Sequence, residues 1–264
     1  MIVSKYCASG NDFIIFHSFQ EKDRTEMAVT LCNRFYGIGA DGLVVVLPYT
    51  KTMESNIECL AYKWEFYNAD GSLADMCGNA SRAVSLYAFH NGLATQNHSF
   101  LSGAGVIDTS IKDIIDSKHA YVQSNLGKYI LQGNIVENHK GNMYEFEHII
   151  MRIPHLVYFA NSIKEFHTLS NDLEFLSYLR HKYDANVNIA LKENDKIHYA
   201  TFERGIENIT QACGTGACAI YASIRDFNRE YTLIPPSKEN LKVSYNNGSI
   251  YFSGLVTKVC DCVI

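Results

Sequence analysis

Two stretches of the sequence place a cysteine directly before a glycine, at the start of a segment that is predicted to be a helix. The first is ADMCGNASR, which contains Cys77, and the second is QACGTGACA, which contains Cys213. The first N–H groups of a helix have no partner within the helix and carry the positive end of its dipole. A cysteine at this position is biased toward the thiolate, and the same N–H groups can bind a carboxylate. Each stretch therefore combines a candidate base or nucleophile with a candidate anion site.

Two such corners suit proton transfer at a carbon next to a carboxylate. Inversion of a stereocentre needs a base on one face and an acid on the other, and a thiolate and a thiol can exchange these roles when the reaction reverses. A carboxylate bound by two sets of N–H groups also stabilises the carbanion that forms next to it. Asn79 and Thr215 can add side-chain donors. The residues alone leave a second interpretation open, in which Cys77 and Cys213 are ordinary small residues at tight turns.

The elements around these cysteines repeat in the two halves of the chain. Cys77 and Cys213 are 136 residues apart in a chain of 264 residues. Each follows predicted strands and precedes a segment that is apolar on most faces, which indicates a buried helix. We therefore predict an internal duplication, with two similar α/β domains that face one another.

Four local patterns give sharper predictions. YKWEFYN alternates and is predicted to be a strand whose aromatic residues share one face, and KVSYNNGSIYF is predicted to be a hairpin with an Asn-Asn-Gly turn. TEMAVTLCNRFYG is predicted to be a helix that Gly37 closes. NDLEFLSYLRHKY is predicted to be a helix that begins with a capping box formed by Asn171 and Glu174.

The composition excludes several classes of protein. Hydrophobic residues make up 47% of the chain, which is enough for a sizeable core, and the formal net charge of −5 argues against nucleic acid as the main partner. The N-terminal stretch MIVSKYCASGNDFIIF lacks the features of a signal peptide, and no window is apolar enough to predict a membrane helix. These observations predict a cytoplasmic protein that does not act on membranes.

The eight cysteines are predicted to be reduced thiols in that compartment. No Cys-x-x-Cys pair occurs, so the signature of a zinc ribbon is missing. Cys260 and Cys262 could share one face of a strand, and we interpret them as packing residues and not as metal ligands. Cys7, Cys32 and Cys59 lie in apolar segments and are predicted to be small buried residues.

Six stretches, in this order and at this spacing, resemble the diaminopimelate epimerases, a family of amino-acid epimerases that do not use pyridoxal phosphate. The stretches are SGNDFI (9–14), GIGADGL (37–43), FYNADGSLADMCGNASR (66–82), IPHLV (153–157), NVNIA (186–190) and FERGIENITQACGTGACA (202–219). The resemblance extends over essentially the full length of the chain.

The resemblance implies an α/β (α+β) fold with two pseudo-symmetric domains, each a barrel-like, mostly antiparallel sheet around a central buried helix. The expected domains are residues 1–119, to which a last strand at about residues 255–264 returns, and residues 120–254. The implied activity is that of an isomerase that interconverts LL- and meso-2,6-diaminopimelate without a cofactor or a metal. Such a homodimeric enzyme would act in lysine and peptidoglycan-precursor biosynthesis.

The resemblance also implies roles for particular residues. Cys77 and Cys213 correspond to the catalytic thiols, His155 to a histidine beside them, and Glu203 to a group that meets the reacting amine. The residues implied to bind the substrate are Gly78, Asn79, Gly214 and Thr215 at the reacting carboxylate, Asn11 and Glu203 at the amine, and Asn68, Asn186 and Arg204 at the distal amino-carboxylate. Structural interpretations remain open for several of them: a buried histidine, asparagines that shape turns, and an arginine in a surface ion pair.

The sequence departs from the family pattern at Ile153 and Gly42, and neither change removes a proposed acid or base. Proline and hydroxyproline racemases also use two thiols, but their substrate has no distal amino-carboxylate for Arg204 to bind. Phenazine-type isomerases share the architecture, but a resemblance to them would not predict paired thiols. A further alternative, from another class, is a redox or metal-binding module in which Cys77 and Cys213 form a switch.

Overall fold

The computed structural model describes residues 1–50 and 60–264, so Cys59 lies outside the described residues. These residues group into two compact units: Met1–Ser124 with Ser253–Ile264, and Asn125–Phe252. The strands are β1 (Ile2–Ala8), β2 (Asn11–His17), β3 (Gly42–Leu47), β4 (Tyr62–Asn68), β5 (Asn97–Ser102), β6 (Gly105–Ile114), β7 (His119–Gly127), β8 (Ile130–His139), β9 (Asn142–Met151), β10 (Ile153–Phe159), β11 (Asn186–Glu193), β12 (Lys196–Glu203), β13 (Asn208–Ile209), β14 (Tyr231–Ile234), β15 (Leu241–Asn246) and β16 (Ser249–Val263). The helices are α1 (Thr25–Cys32), α2 (Gly78–His90), α3 (Ile163–Ser170), α4 (Leu173–Tyr183) and α5 (Gly214–Ile224).

The first unit is a closed barrel around α2. Its strands follow the order β1-β2-β3-β4-β5-β6-β7-β16, and β16 also pairs with β1, which closes the ring of eight. Residues 78–88 of α2 are all buried, and the helix contacts β1, β2, β3 and β6. Tyr62, Trp64 and Phe66 alternate along β4 and belong to the same apolar core as α2, as the sequence predicts. A helix that is apolar on nearly every face thus forms the centre of this unit.

The second unit builds the same pattern of pairing around α5. Its strands follow the order β16-β15-β14-β12-β11-β10-β9-β8, and α5 contacts β9, β10, β11 and β15. In the first unit a parallel, an antiparallel and a parallel pair succeed one another through β2, β3, β4 and β5. The second unit repeats this succession through β10, β11, β12 and β14. In both units the central helix comes between the two strands of the last pair in the order of the sequence. The predicted fold class, with its internal duplication, is therefore confirmed.

Helix α1 is shorter than predicted. It ends at Cys32, and Asn33 at its C-terminal cap already has extended backbone angles. The Asn33 side chain accepts hydrogen bonds from the N–H groups of Phe35 and Tyr36, which forms a turn that ends the helix. The prediction that Gly37 closes the helix is therefore wrong, because the asparagine competes for the backbone earlier.

The capping box predicted for α4 is also wrong, by one residue. Asp172 is the N-terminal cap and accepts from the N–H of Phe175, whereas Asn171 is the C-terminal cap of α3. Helix α3 was not predicted, although its own cap is visible in the sequence: Ser162 accepts from the N–H of Glu165. Two helices therefore meet where the sequence analysis placed the start of one.

The C-terminal hairpin forms as predicted, with Asn247 and Gly248 at positive φ between β15 and β16. At the end of β16 the Sγ atoms of Cys260 and Cys262 lie 3.7 Å apart. Cys260 is exposed, so the packing role predicted for this pair is wrong for Cys260 and holds for Cys262 alone. Within the described ranges no group of three His, Cys, Asp or Glu side chains could hold a metal ion. No helix of residues 1–50 and 60–264 has the length and apolar character that a membrane span requires.

Candidate active site

Cys77 lies at the N-terminal cap of α2, next to two of the predicted site residues. Its Sγ is 3.8 Å from Oδ1 of Asn11, toward which the thiol can donate. The same oxygen accepts from Nδ2 of Asn79 at 3.4 Å. Gly78 begins the helix, so its N–H is among those without a helical partner. We call Asn11, Cys77, Gly78 and Asn79 the Cys77 corner.

A network of charged side chains orients Asn11. Its Nδ2 donates to Asp41, and Arg34 donates to Asp41 at 2.7 Å and to Asp12 at 2.8 Å. Burial opposes ionisation of Asp12, but hydrogen bonds from Arg34 and Lys5 hold the pKa of its carboxyl below its usual range. The amide nitrogen of Asn11 donates to the carboxyl of Asp41, which leaves the amide oxygen directed toward Cys77. Asp41 is not among the predicted site residues, although it lies in the stretch GIGADGL (37–43).

Arg82 orients Asn79 in the same way from inside the helix. Its guanidinium is fully buried and donates through Nη2 to Oδ1 of Asn79 at 2.7 Å and to Oγ of Ser9 at 2.8 Å. A guanidinium has no acceptor, so the oxygen of Asn79 must face Arg82 and its nitrogen must face the Cys77 corner. The orientation that the predicted donor role of Asn79 requires is thus set by Arg82. No role is predicted for Arg82 from the sequence.

Asn68 makes a different contact. It lies at the exposed end of β4, where Nδ2 donates to Oγ of Ser72 at 3.0 Å and the backbone turns through Gly71. This is the turn-shaping role that the sequence left open. A role for Asn68 at the distal end of a substrate stays a prediction.

Cys213 lies at the N-terminal cap of α5 and receives several donors. Its Sγ accepts from the N–H of Gly216 at 3.4 Å and from Nδ2 of Asn186 at 3.9 Å. The hydroxyl of Thr215 lies 3.5 Å from the same sulfur. Donors that converge on a sulfur favour its charged form. We call Asn186, Glu203, Cys213, Thr215 and Gly216 the Cys213 corner; Gly214 begins the helix within it.

The carboxyl of Glu203 completes the Cys213 corner. Burial raises its pKa, and a hydrogen bond with Cys213 opposes that rise. A carboxyl with a raised pKa next to a thiol can take up the proton that the thiol releases when it becomes a thiolate. The sequence placed Glu203 at the amine of a substrate, and its contact with Cys213 adds a second possible role.

Replacing Glu203 by glutamine should stabilise the protein more as the pH rises. The folded state holds the Glu203 proton above pH 4.5, where the unfolded state has lost it, so wild-type stability falls as the pH increases through this range. Glutamine has no such proton. Urea unfolding at about pH 4 and pH 8 should therefore show a difference that grows in favour of Glu203→Gln.

Glu26→Gln is the matched control, because Glu26 is exposed in the first turn of α1. Its stability relative to wild type should not rise between the two pH values. An equal difference for Glu203→Gln at both pH values would contradict the raised pKa.

The side chain of Asn186 is hydrogen-bonded to the backbone of Arg204. Oδ1 of Asn186, which is 1% exposed, accepts from the N–H of Arg204 at 2.8 Å, while Nδ2 faces Cys213. The guanidinium of Arg204 donates to Asp184 at 3.0 Å. Asn186 thus positions the thiol and the backbone of Arg204, and its contact with a distal amino-carboxylate stays a prediction.

His155 is buried in β10, beside Asn186 of β11 in the parallel register. Burial lowers its pKa to about 3, and the positive charge of Arg204 acts in the same direction. The imidazole is therefore neutral at neutral pH. Its predicted place beside the thiols stays a prediction.

Two similar units, each built around a buried central helix, define the fold that epimerases and isomerases of several kinds share. The chain is similar to a hydroxyproline epimerase from Agrobacterium vitis, with a TM-score of 0.74 and 10% identity over 99% of this chain and 91% of that one. It is also similar to a PhzF-family phenazine biosynthesis protein from Bacillus anthracis, with a TM-score of 0.73 and 12% identity over 99% and 98%. These identities establish the fold alone.

Closer similarity narrows this class to one family. The diaminopimelate epimerase family profile matches residues 3–131. A diaminopimelate epimerase from Nitratiruptor sp. is 41% identical over 268 residues, covering 99% of this chain and 97% of the relative. Those from Helicobacter pylori strain P12 and Campylobacter lari are 41% and 39% identical, over 97% of this chain and 94% and 95% of the relatives. The chain belongs to the diaminopimelate epimerase family.

Proposed function

We propose that the protein interconverts LL-2,6-diaminopimelate and meso-2,6-diaminopimelate by proton transfer at the α-carbon. The observation that carries the proposal is the pair of cysteines at the starts of α2 and α5, in a chain about 40% identical to named diaminopimelate epimerases. The reaction needs no cofactor and no metal in this proposal. The enzyme works as a cytoplasmic homodimer that supplies lysine and peptidoglycan precursors.

Each thiol serves one face of the α-carbon. A thiolate removes the α-proton, and the electron pair of the broken C–H bond moves into the adjacent carboxylate. The helix-start N–H groups with Asn79 and Thr215 stabilise that charge. The opposite thiol then donates its proton to the carbon, which leaves the inverted centre and a new thiolate. The substrate is bound by Gly78, Asn79, Gly214 and Thr215 at this carboxylate, Asn11 and Glu203 at the amine, and Asn68, Asn186 and Arg204 at the distal amino-carboxylate.

Different hydrogen-bonding groups surround the two sulfur atoms before substrate binds. Sγ of Cys213 receives Gly216 N–H and Asn186 Nδ2, and the carboxyl of Glu203 beside it has a raised pKa and can hold a proton. Sγ of Cys77 faces the acceptor oxygen of Asn11.

The proposal is tested by incubating each pure isomer of diaminopimelate in deuterated water, with and without a chelator. We expect conversion that survives chelation and places deuterium at the α-carbon, and no turnover of proline. A lack of exchange together with a stoichiometric metal would support the switch-like alternative. Turnover of proline or hydroxyproline instead would support the racemase alternative, for which similarity at 10% identity shows only the fold.

A further inference from the structure

Asn188 lies in β11, two residues after Asn186, and is fully buried. Its Nδ2 donates to the carbonyl oxygen of Leu156 at 2.9 Å, and its Oδ1 accepts from the hydroxyl of Thr201 at 2.8 Å. A carbonyl oxygen can only accept, so the amide nitrogen must face Leu156. The orientation of the Asn188 side chain is therefore fixed by the backbone of β10.

The same nitrogen faces the ring of His155, with Nδ2 of Asn188 3.2 Å from Nδ1 of the imidazole. An amide nitrogen only donates, so Nδ1 must accept. A neutral imidazole that accepts at Nδ1 carries its proton on Nε2. The charged or titratable groups that act on the ring are Arg204 and His148, and both disfavour a second proton.

The N–H group that results is enclosed. Nε2 of His155 is buried and has no hydrogen-bond partner among residues 1–50 and 60–264. A buried donor of this kind is costly, because it has lost its hydrogen bond to water. Such a group calls for an explanation, and a ligand or a reaction step that uses the N–H would supply one.

The hydrogen bond between Asn188 and Thr201 packs against the start of α5. A Cβ atom at Gly216 would lie 2.5 Å from Oδ1 of Asn188 and 2.8 Å from Oγ1 of Thr201, so only glycine fits. The N–H of Gly216 is the group that donates to Sγ of Cys213. Asn188 thus contacts both the ring of His155 and the helix start that binds the thiol.

We propose that Asn188 is a positioning residue that holds His155 as the neutral Nε2–H tautomer, so that the histidine offers the reaction a hydrogen-bond donor and not a base. This inference rests on the proposed function, which places His155 in the reaction. The donor form suits a site where negative charge develops on a carboxylate or a sulfur. To act as a base, His155 would instead need an unprotonated Nε2 whose lone pair is directed toward the reacting group.

The tautomer can be measured without any assay of activity. In the full-length protein labelled with ¹⁵N-histidine, two-bond ¹H–¹⁵N correlations distinguish the two tautomers and the imidazolium, and His155→Gln assigns the signals. We expect wild-type His155 to remain the Nε2–H tautomer from about pH 5.5 to pH 8.5. Asn188→Asp replaces the donor by an acceptor and should move the proton to Nδ1 or produce the imidazolium. Asn138→Asp, at an exposed asparagine of β8, should leave the spectrum of His155 unchanged.

Kinetics then test the use of this donor. Asn188→Asp should lower kcat for diaminopimelate at least about tenfold with little change in KM, since a positioned proton-transfer or donor group contributes about 10²-fold or more. Thr201→Val removes the hydroxyl that holds Oδ1 and provides a second variant if Asn188→Asp fails to fold. It should lower kcat less, and Thr201→Ser should restore it.

Each arm has a result that decides it. A wild-type His155 protonated at Nδ1, or charged near neutral pH, would overturn the assignment whatever the activity. A switched tautomer with unchanged kcat would overturn the use of the donor. Wild-type protein with the Nε2–H tautomer but no exchange at the α-carbon would overturn the proposed function and leave the assignment of Asn188 to His155 intact.

Discussion

Cys77→Ala and Cys213→Ala should each reduce the conversion of LL- to meso-diaminopimelate by at least about a thousandfold. Removing a positioned acid or base costs roughly 10²–10⁴ in rate, and inversion needs both groups. Exchange without inversion should survive, because one thiol can still remove a proton from the isomer that presents its hydrogen to it. The two variants should therefore show opposite preferences for the two isomers.

The measurement is exchange of deuterium or tritium from each pure isomer in each variant. Cys260→Ala controls for the loss of a thiol, because Cys260 is exposed at the end of β16, and it should retain full activity. If both active-site variants exchange both isomers equally, one base must reach both faces, and the two-base mechanism would be wrong.

Arg204→Met should lower kcat/KM for diaminopimelate at least about tenfold, mainly through KM. Loss of a charge-assisted contact with a carboxylate costs about 2–5 kcal/mol when the partner charge stays buried. The fold should persist, because the side chain of Arg204 is 37% exposed and its partner Asp184 is 71% exposed. Ion pairs of this exposure contribute about 0–1 kcal/mol to stability.

Steady-state kinetics and urea unfolding measured on the same preparation check this prediction. Arg229→Met is the matched control, since Arg229 is an exposed arginine of the same unit with ion pairs to Asp195 and Asp226. It should change neither KM nor stability appreciably. Normal kinetics for Arg204→Met would mean that another residue binds the distal carboxylate.

The sequence predicts best what depends on local pattern. The burial of α2 and α5 follows from segments that are apolar on nearly all faces, and the hairpin before Gly248 follows from its turn residues. Helix ends are predicted less well where two signals compete, as at Asn33 and at Asp172. At both positions a side chain can accept from more than one backbone N–H group, and tertiary packing determines which of them it reaches.

The site is predictable in its acids and bases and not in the residues that orient them. Cys77 and Cys213 stand out because each precedes a glycine at the start of a predicted helix, which is an unusual combination of residues. Asp41 and Asn188 act through hydrogen bonds to residues 30 and 33 positions away in the sequence, and Arg82 joins Asn79 to Ser9, which is 73 positions away. Their types are ordinary at their positions, so only the tertiary structure reveals their roles.

The pairing of β1 with β16 has a consequence for synthesis on the ribosome. Ile2 pairs with Val263 and Ala8 with Val256, so β1 is translated long before the strand with which it pairs. Residues 125–252 emerge before the strand that closes the barrel, and the edge of β1 stays unpaired during that time. Closing so long a loop is slow, and an open edge invites aggregation. A nascent chain truncated before residue 253 should therefore hold its second unit more securely than its first.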